Sequence, residues 1–534
     1  MIKMRNLSGI LLSTLCAVAL KADATRAEDK PTASPTPSAS AAPQGTSQST
    51  DLSPNEEEEL KTTEPQNAAV PEEPIKSVPW VAPDFSKQDA AAGWTLHTFD
   101  TPPGFVRRVN FWIDIYTKYT THQVLLHDAH YLDIVYRMLD FTKLDDDPNL
   151  SAVDKERTKK KQIKEAKKEV REQLLRIQQH EDDVETLSAD DKDIFKKFRF
   201  VFERHKFSEA ANRHRLRMQL GQKDRFALGV YFSGRYIREM EKIFKEEGVP
   251  VELTRLPFVE SSFNLYAFSK VGASGIWQFM RSTGRLFHLK NDSFVDLRND
   301  PLAATRAAAK LLKYNYTLLK SWPLALTAYN HGPQGVARIV KKLKTDDINQ
   351  IVWNNNRHRF GFASENFYAE FLAALETESH AAKYFGDIQV SPPLIYDEVT
   401  LPRPVLFGEI ALAMRTNSSD DGIERARLYN PFFSRQVIIG HRKIPQGVSI
   451  RVPKNYQEKF LAQLQNVDPT KVKLTLKNGT YRIMVGDTLS SISKDFGITL
   501  KALLEANNLS MRSRLRPGQK LIVPTLDDQP WKGQ

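Results

Sequence analysis

The sequence predicts a mainly α chain of the α+β class, helical through its middle and ending in a small β-α-α-β module. Three observations predict this. Between Asp154 and Leu187 the residues Ile163, Ala166, Val170, Leu174, Ile177, Val184 and Leu187 recur at helical or heptad spacing. From 245 to 385 helical patterns alternate with Gly-rich connections. From Thr480 to Pro524 the pattern becomes strand, helix, helix, strand.

The first element is not part of the fold. Lys3 and Arg5 precede an apolar stretch from Leu7 to Leu20, and Ala22, Ala24 and Ala27 follow. Residues 1–27 are therefore expected to be an export signal cut after Ala24 or Ala27. The stretch is shorter than the roughly 17–25 residues of a spanning helix. The expected location is the periplasm or cell envelope, peripheral to a membrane at most. Cys16 is the only cysteine, and Leu15 precedes it where a lipid-bearing cysteine would follow a small residue. Cleavage is expected over lipidation, which leaves a mature chain without disulfide or thiol chemistry.

Residues 28–79 are rich in Pro, Ser, Thr, Ala and Glu and read as a disordered tether. Region 80–244 reads as helical. Its aromatic stretch Phe105–Phe141 mixes helical and extended spacing and reads as buried core. His127, His130, His205 and His214 lack metal-ligand spacing and are taken as structural; no metal or other cofactor is expected. The formal charge of +11 is diffuse or alternates with Glu between Lys155 and Arg171. That is a solvated helix face, compatible with an anionic polymer; a nucleic-acid partner is not expected.

Region 245–389 carries the chemistry. "LPFVESSFNLYAFSKVGASGIWQFM" (Leu256–Met280) has one acid, Glu260, and the next Asp or Glu is Asp292. Apolar neighbours disfavour the carboxylate and hold a Glu protonated near neutral pH, as a general acid requires. Gly272 and Gly275 allow close backbone approach, Trp277, Gln278 and Met280 offer a stacking face and an amide, and "ALTAYNHGPQGV" adds Tyr329 and Asn330. Acid, amides, hydroxyls and aromatic faces together make a sugar site. Taken one at a time they read as ordinary turns and core aromatics. Helices are expected at Pro301–Leu319, Leu324–Tyr329, Gly335–Leu343 and Glu365–Ala382.

At the C-terminal end, Thr480–Val485 and Lys520–Val523 read as strands. Two helices lie between them, bearing Leu489, Ile492 and Phe496, and Leu500, Leu503 and Leu504; Thr499 caps the second and Pro517-Gly518 turns into the last strand. A weaker echo of this order runs through "LFGEIALAM", "ARLYNPF" and "IPQGVSIRVP" in region 390–455.

These motifs resemble a known family. "ELTRLPFVESSFN", "SKVGASGIWQFM", "DPLAATRAAAKLL" and "LALTAYNHGPQGV" are similar to the catalytic domain of family 1 soluble lytic transglycosylases, and "GDTLSSISKDFGI", "LLEANNL" and "LRPGQKLIVP" resemble a LysM domain. The resemblance implies a lysozyme-like catalytic domain at 245–389, a degenerate LysM-like region at 390–455 and a LysM domain at 479–525. It implies Glu260 as the acid, with Ser261, Ser269, Gln278, Met280, Tyr329, Asn330 and Glu376 contacting substrate. After Glu376 the family pattern breaks, since the Arg and Tyr-Val that follow in the family are here Glu378, Ser379 and His380. For the LysM domain it implies glycan contacts at Gly486, Asp487, Thr488, Leu509 and Ser510.

The implied reaction is cleavage of the β-1,4 bond between N-acetylmuramic acid and N-acetylglucosamine of peptidoglycan by a monomer, with 1,6-anhydro ends and no cofactor. Three alternatives stand beside it. A hydrolytic muramidase would need a base such as Asp292, Asp296 or Glu376; a non-catalytic wall-binding protein would not need Glu260; a nucleic-acid-binding protein would not need the LysM-like end.

Overall fold

The computed structural model describes residues 77–85, 98–150, 152–269, 271–354, 360–416, 422–440 and 442–468. Near the C-terminus it describes 472, 476–477, 480–483, 487–495, 498–511, 513–516 and 519–523. The expected export signal and nearly all of the expected tether lie outside these residues.

Helix α1 (Val106–Thr117) buries Val109, Phe111, Trp112, Ile115 and Tyr116. The chain then enters strands β1 (Gln123–Asp128) and β2 (Val135–Asp140). The spacing between Asp154 and Leu187 becomes one helix, α2 (Ala152–Gln179), followed by a short turn of helix at Val184–Thr186. Strand β3 (Leu216–Leu220) returns to pair antiparallel with β1, which lies between β2 and β3.

This sheet puts strands into region 80–244, which the sequence reads as helical apart from the mixed helical and extended spacing of Phe105–Phe141. β1 does not alternate because both of its faces are covered. Val124 and Leu126 join a core with Ile163, Val170, Leu174 and Ile177 of α2, while Leu125 joins the larger core that contains α1. His127, fully buried, hydrogen-bonds the Asp128 carbonyl at 2.9 Å and is pushed down to about 3 by burial, a structural role.

The larger core ignores the boundary at 244. Phe105, Trp112 and Ile115 pack in the same cluster as Phe258, Trp277, Leu312 and Phe367. Its principal helices are α3 (Leu256–Ser261), α4 (Pro301–Leu319), α5 (Trp322–His331) and α6 (Phe362–Ser379). α4 starts where the sequence predicts, because Asp300 accepts from the Leu302 and Ala303 amides at 3.0 Å and Pro301 occupies the first turn. α6 packs against both α1 and α3, and α5 packs against α4 and α6.

Beyond it, β4 (Tyr396–Thr400), α7 (Phe407–Ala413), α8 (Ile423–Tyr429), β5 (Ser449–Pro453) and α9 (Gln457–Asn466) share a third core around Ile410, Phe433 and Ile450. The last module is β6 (Thr480–Arg482), α10 (Leu489–Asp495), α11 (Leu500–Ala506) and β7 (Lys520–Ile522). β6 and β7 pair antiparallel over Tyr481, Ile492, Leu503 and Leu521. This is the expected strand-helix-helix-strand order, with Thr499 capping α11 through the Ala502 amide. No helix among the described residues is long and apolar enough to cross a membrane.

Candidate active site

Glu260 stands in the last turn of α3. Pro257 and Phe258 anchor that short helix in the core, and it stops because Ser262 and Phe263 take left-handed conformations, φ 50° and 55°. The Ser262 amide donates to the Phe258 carbonyl and the Phe263 amide to the Pro257 carbonyl, both at 3.2 Å, closing the helix end. Phe263 packs edge-on to Phe258 at 4.7 Å between ring centres. Two non-glycine residues held at positive φ, beginning two positions after the acid, are local strain of the kind the surrounding core must support.

The Glu260 carboxyl is half-buried, and its pKa is pushed up to about 8. Burial is the larger cause and the carboxyl of Glu370 on α6 the second. Glu370 is itself raised to about 8 by burial. An acid in this state stays protonated at neutral pH and can donate a proton to a leaving oxygen.

The loop Ala267–Phe279 lies beside the acid. Ser261 donates to the Ile276 carbonyl at 2.9 Å, which ties α3 to it. Ser269 accepts from the Ala273 amide at 2.9 Å and closes its tip. Gln278, at φ 47°, spends its amide on the Gly275 and Ala267 carbonyls at 2.8 and 3.2 Å. Gly275 has φ +77°, and a Cβ there would lie 2.1 Å from the Arg298 carbonyl oxygen. Arg298 is buried; its guanidinium donates to the Gly272 and Phe279 carbonyls at 2.6 and 2.9 Å and is gripped by the Asp296 carboxylate.

Tyr329 on α5 donates to the Trp277 carbonyl at 2.8 Å and stacks on Phe367 of α6. Its neighbourhood includes the acid, since the Glu260 charge raises the Tyr329 pKa after burial does. Asn330 is exposed and accepts from the Ser364 hydroxyl at 2.8 Å. Met280 is 38% exposed at the start of the next helix.

The structure thus gathers Glu260, Ser261, Ser269, Gln278, Tyr329 and Asn330 around one loop and the helix ends that flank it. Glu376 is placed otherwise. It accepts from the Tyr384 hydroxyl and pairs with His380, both at 3.1 Å, on the outer end of α6. The acid of α6 that Glu260 senses is Glu370, which was absent from the sequence-level candidates. Its place between Ala369 and Phe371 was its only signal, on a helix that also carries Glu365, Glu376 and Glu378. Arg298 was likewise missed. So was Arg255, buried beside α3 and paired with Glu378 of α6 at 3.0 Å.

In the C-terminal module, Gly486 lies outside the described residues. Thr488 caps α10 with Ser491, and Ser510 sits exposed in a turn with Ser513. Leu509 is partly buried against the module's core. Asp487 is not on an open face: its side chain is 1% exposed, ion-paired with Arg435, and accepts from the Tyr481 hydroxyl at 2.6 Å.

Comparison with known proteins places names on these parts. Residues 236–352 match the transglycosylase SLT domain and residues 481–524 the LysM domain. The chain is 28% identical over 291 residues to the membrane-bound lytic murein transglycosylase D of Escherichia coli strain K12, covering 52% of this chain and 61% of that protein. It thus spans less than two thirds of that relative's length. It is also 32% identical over 109 residues to a protein of Alteromonas sp. strain M-1 provisionally named for tributyltin chloride resistance, covering 20% of this chain and 51% of that one. A 49-residue stretch, 9% of this chain, is 47% identical to 29% of a Bacillus subtilis strain 168 protein provisionally named L,D-transpeptidase YkuD. Glu370 lies beyond the matched SLT segment.

Proposed function

We propose that this chain, with its SLT and LysM domains, is a peptidoglycan lytic transglycosylase of the cell envelope. It cleaves the β-1,4 bond between N-acetylmuramic acid and N-acetylglucosamine and leaves 1,6-anhydro ends. The observation that carries this reading is the half-buried Glu260, its pKa pushed up to about 8 chiefly by burial, at a strained helix end within the SLT domain.

Glu260 protonates the glycosidic oxygen as the bond to C1 breaks, and the substrate's N-acetyl group stabilises the positive charge. Glu260, now ionised, takes the proton of the muramyl C6 hydroxyl as that oxygen bonds to C1. Both proton transfers pass through one carboxyl, and the nucleophile is already tethered to the reacting centre. Through the Trp277 carbonyl Tyr329 fixes the loop, whose edge, with Asn330, is available to hydroxyl and N-acetyl groups. The LysM domain holds the chain to the wall, and the N-terminal segment serves export.

Glu260→Gln should abolish release of anhydro-muropeptides from purified sacculi while sacculus binding persists; unchanged turnover would refute the assignment. A second reading is hydrolysis by a water activated at Glu370, whose charge is felt at Glu260; that base is available only as pH approaches about 8, where Glu370 ionises. Mass spectrometry of the released ends separates the two, because a hydrolytic end carries the elements of water and an anhydro end does not.

A further inference from the structure

The region between the catalytic core and the LysM domain shares the strand-helix-helix-strand order of the LysM module and several of its hydrogen bonds. In the LysM domain β6 pairs with β7 so that Arg482 faces Lys520; in the middle region β4 pairs with β5 so that Thr400 faces Ser449. The Ile483 amide donates to the Gln519 carbonyl, as the Leu401 amide does to the Val448 carbonyl. The first helix starts at Leu489 in one and at Phe407 in the other. Each helix start is closed by a side chain three residues on: Ser491 accepts from the Thr488 amide and Glu409 from the Leu406 amide.

The most specific match is an asparagine after the second helix. Asn507 donates to the Leu503 carbonyl, four residues back, and to the Ile522 carbonyl, and accepts from the Ile522 amide. Asn430 makes the same three bonds with Ala426 and Arg451. Ile522 and Arg451 each stand two residues after the first paired residue of their strand.

What differs is the end of the module where the resemblance puts glycan contacts. In this register Gly486, Asp487 and Thr488 correspond to Pro404, Val405 and Leu406, and Leu509 and Ser510 to Phe432 and Phe433. Val405 and Phe433 are buried, and the polar groups that could meet a sugar are gone. The space is taken by the catalytic domain. The Asp296 amide donates to the Phe432 carbonyl at 2.7 Å, and the Ser434 amide to the Phe294 carbonyl at 2.8 Å. The Ser434 hydroxyl adds a bond to the Ser293 carbonyl at 2.6 Å. Arg451 reaches from β5 to the Asp300 carboxylate at 2.7 Å, at the cap of α4, with its guanidinium over the Tyr396 and Phe432 rings.

We infer that residues 396–466 are a second LysM-type module whose glycan-facing end has become a clasp on the catalytic domain, and that Arg451 and the Phe432–Ser434 edge are positioning elements for the loop beside Glu260. The path is short. Phe432 holds the Asp296 amide, Asp296 grips Arg298, Arg298 holds the Gly272 and Phe279 carbonyls, and Ser261 joins that loop to the helix of Glu260. Removing a clasp contact loosens this loop without touching the substrate.

The kinetic arm rests on the transglycosylase reading; the exchange arm does not. In the full chain, Arg451→Met should lower kcat on a soluble glycan fragment about tenfold, leave KM within about twofold, and speed amide hydrogen exchange across 267–279. Arg451→Lys, which keeps the charge, should recover most of the rate. Ser434→Ala, a smaller change, should give a smaller loss in the same direction. Unchanged exchange in 267–279 in a folded Arg451→Met protein would overturn the clasp. So would a kcat loss no larger than the fraction unfolded by thermal melting. Faster exchange with inactive parent enzyme would instead refute the reaction and leave the clasp standing.

Discussion

α6 packs on α3, and the charge of Glu370 on α6 is the second cause, after burial, of the raised pKa of Glu260 on α3. Glu370 is pushed up to about 8 by burial, and its charge also raises the pKa of Tyr116 on α1. Two such carboxyls titrate as a pair.

The first consequence is a pH profile. Activity needs Glu260 protonated, so it should fall as pH rises through about 8. Glu370→Gln removes the second carboxyl, lowers the pKa of Glu260 and moves that alkaline limb toward acid. The rate at the optimum should stay within about threefold. An alkaline limb that does not move would show that Glu370 does not tune Glu260. Hydrolytic ends that disappear in this variant would support the muramidase reading.

Stability should follow with a defined sign. Both acids have a folded pKa near 8, well above the ordinary glutamate value of 4.5. Their neutral forms favour folding fully below about 4.5, and that contribution is lost as pH rises toward 8. Glu260→Gln and Glu370→Gln should therefore stabilise the protein relative to the parent at pH 8, by roughly a few kcal/mol each and read as a higher Tm, and much less at pH 5. Calorimetry at the two pH values checks the difference.

Gly275→Ala tests the loop directly. With φ +77° and a Cβ forced to 2.1 Å from the Arg298 carbonyl, the loop must shift. The expected strain is on the order of 2 kcal/mol, and turnover should drop at least about tenfold. A variant with parental turnover would mean that loop geometry does not matter to the chemistry.

The two asparagine clamps give a paired experiment. Asn507→Ala and Asn430→Ala each leave backbone groups unpartnered at about 1–3 kcal/mol. Asn507→Ala, like deletion of Thr480–Pro524, should weaken sacculus binding more than cleavage of a soluble fragment. Asn430→Ala should reduce cleavage as well, because its module clasps the catalytic loop. Identical effects of the two substitutions would contradict the division of labour between the modules.

Some of this was legible residue by residue. Asp300-Pro301 fixes the start of α4, Thr499 caps α11, and the lone acid of "LPFVESSFN" has the raised pKa that its apolar neighbours predict, because caps and burial signals act within a few residues. The strand–helix–helix–strand end and its fainter echo were also readable, since helix starts, the asparagine turn and the Pro-x-Gly turn are local.

What sequence spacing did not reveal depends on contacts between distant segments. β1 hid as a strand because its two faces feed two cores, which erases alternation. Glu370 looked like one more charge on a helix; only the packing of α6 on α3 turns it toward Glu260. Asp487 looked like a surface polar residue until Arg435 of the preceding module buried it. The sequence by itself determined that one acid sits among apolar residues. Tertiary structure decided how that acid titrates and what holds its loop, because pKa and loop geometry are set by neighbours that chain order does not name.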